Sequence, residues 1–343
     1  MLSSGQGRLL NFAEKNNKMK AAVLHNFGET PRYEDFSDPI CEKDDILIHV
    51  KAVVLENFDK MATKGTHYSS KQLFPRFPAI VGHGGVGMLE DGTMVAFGGI
   101  KPPYGTMAEK AVVPQMFKAY MAKLPEGVDP CLAAALPASI LTSYLPLKYT
   151  AKLEQGETVL INGATGVSGK IAVQVAKMLG AGKVIGTGRN EASLKLLTGL
   201  GADAVINIQQ PDEELIKAFE KESGDAGYHV VIDFLWGHPA EILMKSFVPK
   251  EAGFATKRIR YLHIGEKAGS GITVTGEMLR TSGLEIYGTG NIPPDALPEA
   301  LKLVWEWIRE NRFHIDIEKV PLADIEKAWQ RQDLEGKRIV IVP

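Results

Sequence analysis

Three glycines, set where an apolar strand gives way to an amphipathic helix, constrain this chain more than any other feature. They lie in Gly163-Ala-Thr-Gly-Val-Ser-Gly169, preceded by the apolar run Val159, Leu160 and Ile161. The stripe Ile171, Ala172, Val175, Ala176 and Leu179 follows, closing at Gly180. The repeat therefore changes from that of a sheet to that of a helix across the glycines. Such a loop gives a tight turn, lets a pyrophosphate approach the backbone, and leaves amides free at the helix start to attract the anion. Gly163, Ala164, Thr165, Gly166, Val167 and Gly169 are thus candidate nucleotide contacts. A second strand at Lys183-Val-Ile-Gly-Thr187 completes a βαβ unit, the context in which such a triplet signifies dinucleotide binding. A glycine-rich turn in an ordinary α/β protein would leave the ordered spacing unexplained.

The chain has 343 residues, 45% hydrophobic and 23% charged, enough for about two domains with cores of their own. Its 39 basic and 41 acidic residues nearly cancel, and no basic run is interleaved with aromatics, so nucleic acid is not an expected partner. The two cysteines, Cys41 and Cys131, are too few for a disulfide framework or a four-cysteine zinc lobe, and a reducing, cytoplasmic setting is the default. No apolar run reads as long enough to span a membrane, and the first residues do not read as a signal peptide. Strand-like sequence begins at Met19, which makes residues 1–18 an extension.

From Met19 to about Pro130 the segments are short, rich in Val and Ile and punctuated by Gly and Pro, as at Ala21–Leu24, Ile46–Val50, Thr93–Phe97 and Glu109–Val113. This is β-rich, barrel-like sequence. After Pro137 strands and helices alternate. Candidate strands at Val159, Val184, Ala204–Ile206, Val230–Asp233, Tyr261–Ile264 and Leu284–Ile286 predict a doubly wound parallel sheet. The tail predicts a long helix from Pro298 to about Asn311, a short one over Leu322–Trp329 and a last strand at Lys337–Val342, folding back on the first domain. Trp305 and Trp307, on the long helix, read as packing residues.

Taken in order, Phe77-Pro-Ala-Ile-Val-Gly-His-Gly-Gly-Val-Gly87, the Tyr104-Gly-Thr-Met-Ala-Glu109 turn, Ala134 to Tyr144, the glycine loop, Leu200-Gly-Ala-Asp203 and Gly336-Lys-Arg-Ile-Val340 resemble the medium-chain dehydrogenases and reductases. The likeness is to their zinc-free quinone oxidoreductase and enone reductase branch, and it runs from Met19 to Pro343. It implies an α/β protein: a GroES-like β-rich catalytic domain over 19–138 and 292–343, a Rossmann cofactor domain over 139–291, and an active site in the cleft between them. Homodimers of this family pair edge strands of their cofactor domains, for which Leu284–Tyr287 is the candidate.

The departures from the family pattern bear on chemistry. Where zinc-dependent relatives have a cysteine, a His-Glu pair and a second cysteine, this chain has Glu56 (or Asn57), His83 followed by Gly84, and Ala138. A catalytic zinc needs three protein ligands, and two at most survive, with Glu56, Asp59 and His83 the one conceivable replacement set. Without a Lewis acid, simple alcohols and isolated ketones are poor substrates. A quinone or an α,β-unsaturated carbonyl spreads the arriving charge onto an oxygen that hydrogen bonds can hold.

Arg189, after the second Rossmann strand, stands where NAD-preferring enzymes carry an acid. With Gly188 and Asn190 it can hold the 2′-phosphate of NADP, although Glu191 lies close by. Phe234, Leu235, Ile264 and Gly265 fall at later strand ends, facing the crevice, and Thr142 resembles a residue that contacts the nicotinamide. The candidate catalytic residues are Asn57, Asp59, Tyr68 and His83, with Tyr104 a second tyrosine; a family tyrosine two places after Asp59 is Met61 here. Asp59 reads equally as a helix cap. An NADPH-binding sensor or structural protein without turnover stays open, as does an alcohol dehydrogenase with unusual zinc ligands. A short-chain dehydrogenase does not, because no Tyr-x-x-x-Lys pair follows the loop.

Overall fold

The computed structural model describes residues 17–343 except 252, 291, 333 and 335. Of the stretch read as an extension, residues 1–16 lie outside the described residues. The first strand, Lys18–Leu24, starts one residue earlier than the sequence suggested.

Alternation of apolar side chains builds the second half of the chain. Along Thr158–Asn162, Val159 and Ile161 enter one core cluster and Leu160 another; Val184 and Ile185, and Val230 and Val231, divide the same way. Both faces of this sheet are therefore buried, as a parallel sheet with helical crossovers requires. Six parallel strands lie side by side in the order Ala204–Asn207, Lys183–Gly188, Thr158–Asn162, Val230–Asp233, Ile259–His263 and Leu284–Tyr287. Strand order reverses at Thr158–Asn162, which places the ligand crevice of such a sheet above the glycine loop.

The first half is antiparallel. Its larger sheet includes Ile46–Val54, Gly84–Met88 and Met94–Gly98, and a smaller one pairs Lys18–Leu24 with Arg32–Ser37 and Ala79–Ile80. The tail joins it, because Arg338–Val342 lies antiparallel to Ile46–Val54 and parallel to Ile317–Pro321. The long late helix, Ala296–Arg309, packs instead on the helix Pro137–Leu145, where Trp307 meets Tyr144 edge-on at 5.2 Å. Trp305 and Trp307 are both buried, in keeping with a packing role.

Two sequence expectations need correction. Gly84–Met88, read only as part of a glycine-rich marker, is a strand. A Cβ on Gly87 would lie 2.3 Å from Ile48 Cγ2, so glycine is there to let two strands approach, against its poor strand propensity. The expectation that no apolar run is long enough to span a membrane also fails. Pro130–Thr150, a 21-residue helical span with a bend at Leu136, meets the requirement by length and composition. It is mostly buried, and Ile140, Tyr144 and Leu147 lie in the core, so its apolarity is that of a central packing helix.

Candidate active site in the cleft

The glycine loop has the shape a pyrophosphate needs. Gly163 has a φ of +89°, and a Cβ there would meet Leu235 at 2.9 Å. Gly169 lets the following helix, Val167–Met178, sit on the sheet: its Cβ would fall 2.3 Å from the Gly163 carbonyl oxygen. Around Gly166 the nearest atom to such a Cβ is 3.8 Å away. Gly166 is the helix N-cap and offers no side-chain acceptor, so the first-turn amides face open space with the positive end of the helix dipole behind them. The residues present fit a dinucleotide phosphate.

At the end of the second strand, Arg189 is exposed and has no hydrogen-bond or ion-pair partner among the described residues. Glu191, the acid that clouded its reading, is engaged by the side chain of Asn207. Asn190 caps the next helix through Ser193 N–H at 2.9 Å, its amide nitrogen having no partner among the described residues. Phe234, Leu235, Ile264 and Gly265 line the other side. Phe234 N–H donates to the Asn162 carbonyl at 3.0 Å, and Ile264 and Gly265 donate to the Asp233 carbonyl at 2.8 and 3.1 Å. Thr142 is exposed on Pro137–Leu145, its hydroxyl turned back to Ser139.

Asp233 was read only as a strand residue, and the structure gives it more. Its carboxylate is fully buried and accepts from Asn162, Tyr261 and the backbone of Leu235 and Trp236. Burial raises its pKa, against the opposing pull of those donors. Trp236 has φ +53° and ψ −160°, a backbone setting that a side chain disfavours by on the order of 1–3 kcal/mol.

Opposite the glycine loop, the helix Asn57–Lys64 and the turn before Gly84–Met88 bring Asp59 and His83 together. Asp59 caps the helix and also bonds the histidine. Its Oδ2 accepts the Glu56 N–H at 2.8 Å, capping the helix, while Oδ1 lies 3.1 Å from His83 Nδ1. Glu56 Oε2 stands 4.0 Å from His83 Nε2, and Glu56 Oε1 is 3.3 Å from the buried Arg338 guanidinium, which also reaches the Ser139 hydroxyl. Of the two positions left open by the alignment, Glu56 faces the histidine and Asn57 is exposed at the helix start. His83 remains 44% exposed as a side chain. Burial pulls its pKa down, but the Asp59 bond and the charges of Asp59 and Glu56 outweigh it and hold it above the ordinary 6.5.

Tyr68 is not brought to His83. It is 95% exposed, lying on His67 at 4.0 Å, and Phe58 stands between His67 and His83. Tyr104 lies elsewhere: its hydroxyl donates to the Asp38 carbonyl and its ring packs on Phe36. Arg338 went unnoticed in sequence because nothing in Gly336-Lys-Arg distinguishes a buried arginine from a solvated one.

The two walls face one another. Gly336 presses on the glycine loop, since a Cβ on it would lie 2.4 Å from the Thr165 carbonyl oxygen, and two residues on Arg338 reaches Glu56. Lys60, one turn from Glu56, is lowered in pKa by burial and then by the charge of Lys267, in the loop after Ile264–Gly265. The residues do not make up the three ligands a catalytic zinc needs: Ala138 offers no donor, Glu56 is paired with Arg338, and Asp59 is taken up by His83 Nδ1 and the Glu56 N–H, which leaves His83 Nε2. Among the described residues no group of three or more His, Cys, Asp or Glu side chains is placed to hold a metal ion.

Residues 168–244 match a family model described as zinc-binding dehydrogenase. The "Probable NADPH-dependent quinone reductase tdiC" of Emericella nidulans is 30% identical over 230 residues, 64% of this chain and 63% of that protein. The chain thus spans just under two thirds of that relative's length. An NAD-dependent alcohol dehydrogenase of Sulfolobus acidocaldarius is 29% identical over 79% of this chain and 84% of its own. Among solved structures, the quinone oxidoreductase of Thermus thermophilus, determined also in complex with NADPH, superposes with a TM-score of 0.75 at 27% identity, covering 95% of this chain and 100% of that one.

Proposed function

The chain belongs to the medium-chain dehydrogenase/reductase superfamily, in its quinone oxidoreductase-like branch, and from that premise we propose an NADPH-dependent oxidoreductase that reduces a quinone or an α,β-unsaturated carbonyl without zinc. The observation that carries the reading is His83, set between Asp59 and Glu56 at the place where zinc-dependent relatives hold their metal. A neutral imidazole donates from one nitrogen only, whereas the imidazolium donates toward both carboxylates, so this setting stores a proton. Bound NADPH supplies a hydride. Reduction of a quinone to a hydroquinone, or of an enone to a saturated ketone, then needs one proton besides that hydride, and His83 Nε2 holds one at the cleft. Asp59 fixes the ring, and the Arg338 guanidinium pairs with Glu56 from the buried side.

Arg189 supports NADPH over NADH, because an unpaired guanidinium beside the second strand matches a 2′-phosphate with charge-assisted bonds. Arg189→Ala is expected to raise KM for NADPH about tenfold or more while leaving KM for NADH nearly unchanged. Initial rates with both cofactors, over a panel of quinones and enones, test this and the proposed activity together. Wild-type protein that oxidises neither cofactor with any acceptor would sink the reading.

The same reading includes a homodimer. Leu284–Tyr287 pairs on one side only among the described residues, and Ile286 on it is exposed, as are Leu279 on the neighbouring helix and Phe254 nearby. Light scattering should give twice the chain mass, and Ile286→Arg should shift it toward the single chain; a wild-type monomer at assay concentration refutes the dimer.

A further inference from the structure

Adjacent strands of the parallel sheet and the turn after the fourth of them meet at one buried side chain beside the glycine loop. Asp233 Oδ1 accepts from Asn162 Nδ2 at 2.9 Å and Leu235 N–H at 2.8 Å, and Oδ2 from the Tyr261 hydroxyl at 2.6 Å. Trp236 N–H lies 3.2 Å from both oxygens. Every partner is a donor, which is what an ionised carboxylate accommodates and a neutral amide does not. The connection continues: Asn162 Oδ1 accepts from the Thr187 hydroxyl at 2.8 Å, and Thr187 Oγ1 accepts from Gly163 N–H at 2.9 Å. A file of hydrogen bonds thus runs from the first glycine of the loop, through the second strand, to the turn at Leu235–Trp236.

That turn does not hold its shape unaided. Trp236 occupies a backbone region suited to glycine, and its ring stands edge-on to His263 at 4.5 Å. Leu235, just before it, fills the space a side chain on Gly163 would need. Small movements of the turn therefore change the opening over the glycine loop.

We infer that Asp233 is a positioning residue of the cofactor site, its carboxylate holding the strained Leu235–Trp236 turn and the glycine loop at one fixed separation. It touches no ligand itself; it acts through Thr187 and Asn162 on one wall and through two backbone amides on the other. The inference rests on the proposal that this crevice binds NADPH, and it adds a residue to which neither sequence pattern nor likeness assigned a role.

The experiment is NADPH titration of the full chain, followed by quenching of protein fluorescence, with kcat, KM and thermal midpoint measured on the same samples. Asp233→Asn, which puts a donor among donors, should raise the NADPH dissociation constant and KM about tenfold, with kcat falling by far less. Thr187→Val, matched in shape but without the hydroxyl, should do the same, and Thr187→Ser should restore binding. If Asp233→Asn does not fold, the Thr187 pair decides alone. Lowered thermal midpoints with wild-type NADPH affinity in Asp233→Asn and Thr187→Val would show that the carboxylate serves stability alone and overturn the inference. Wild-type protein that binds no NADPH would instead overturn the cofactor reading, a result distinct from unchanged variants of a protein that binds.

Discussion

Valine in place of Gly169 is expected to abolish NADPH binding and NADPH-dependent turnover. The reason is backbone against backbone: even the Cβ of the new residue would lie 2.3 Å from the Gly163 carbonyl oxygen and 2.6 Å from Ala164 Cα. Neither can step aside as a flexible side chain could, so the helix Val167–Met178 must lift from the sheet and take its first-turn amides with it. Overpacking of this kind costs on the order of 1–3 kcal/mol or more, and the thermal midpoint should fall with it. Gly166→Ala makes the informative control. With no atom nearer than 3.8 Å and an ordinary φ of −74°, it should fold normally yet weaken NADPH binding by narrowing the approach to the loop. Titration and thermal melts on both variants check the pair. Normal NADPH affinity in Gly169→Val would remove the loop from the cofactor site.

Replacing His83 should have the second largest effect. His83→Ala is expected to lower kcat by about a hundredfold or more, the lower range for loss of a positioned acid. The pH dependence has a definite sign. Because the folded-state pKa is raised above 6.5, the charged, proton-donating form persists through that pH and is lost as pH rises through the folded value. The wild-type rate should therefore fall as pH rises above 6.5 through the raised folded value, and His83→Ala should lose that dependence. The stability contributed by the His83–Asp59 pair follows the same direction: fully present below pH 6.5, it fades as the imidazolium deprotonates. Rate profiles of both proteins, with one acceptor at saturating NADPH, provide the check. An unchanged alkaline limb in the variant would assign the proton to another group or to water.

The sequence carried the cofactor half almost completely because its signals are local. Each of the six strands is a short apolar run bounded by turn residues, and the change of period across Gly163–Gly169 states where strand becomes helix. The β-rich half was harder to read. Gly84–Met88 is a strand made largely of glycine, and what makes it one is the neighbour Ile48, some forty residues away in the chain. Asp59 and His83 could be named as candidates, but not their contact. That depends on the helix Asn57–Lys64 starting at Glu56, a start that Asp59 itself caps. Tyr68 illustrates the opposite error, a residue type suited to proton donation placed by its loop on the outermost ring of an aromatic row. Asp233 and Arg338 were missed for one shared reason: a lone charged residue at a strand end looks the same whether solvent or protein surrounds it, and only packing tells them apart.

The closing strand, Arg338–Val342, leaves the glycine loop at Gly336 and within two residues hands a guanidinium to the acid beside His83. A single short span of chain is thus a rivet through both halves. On the proposed function, whatever loosens it slackens the nucleotide loop and the setting of His83 in the same event, so cofactor affinity and turnover should decline together as the protein warms or is clipped there.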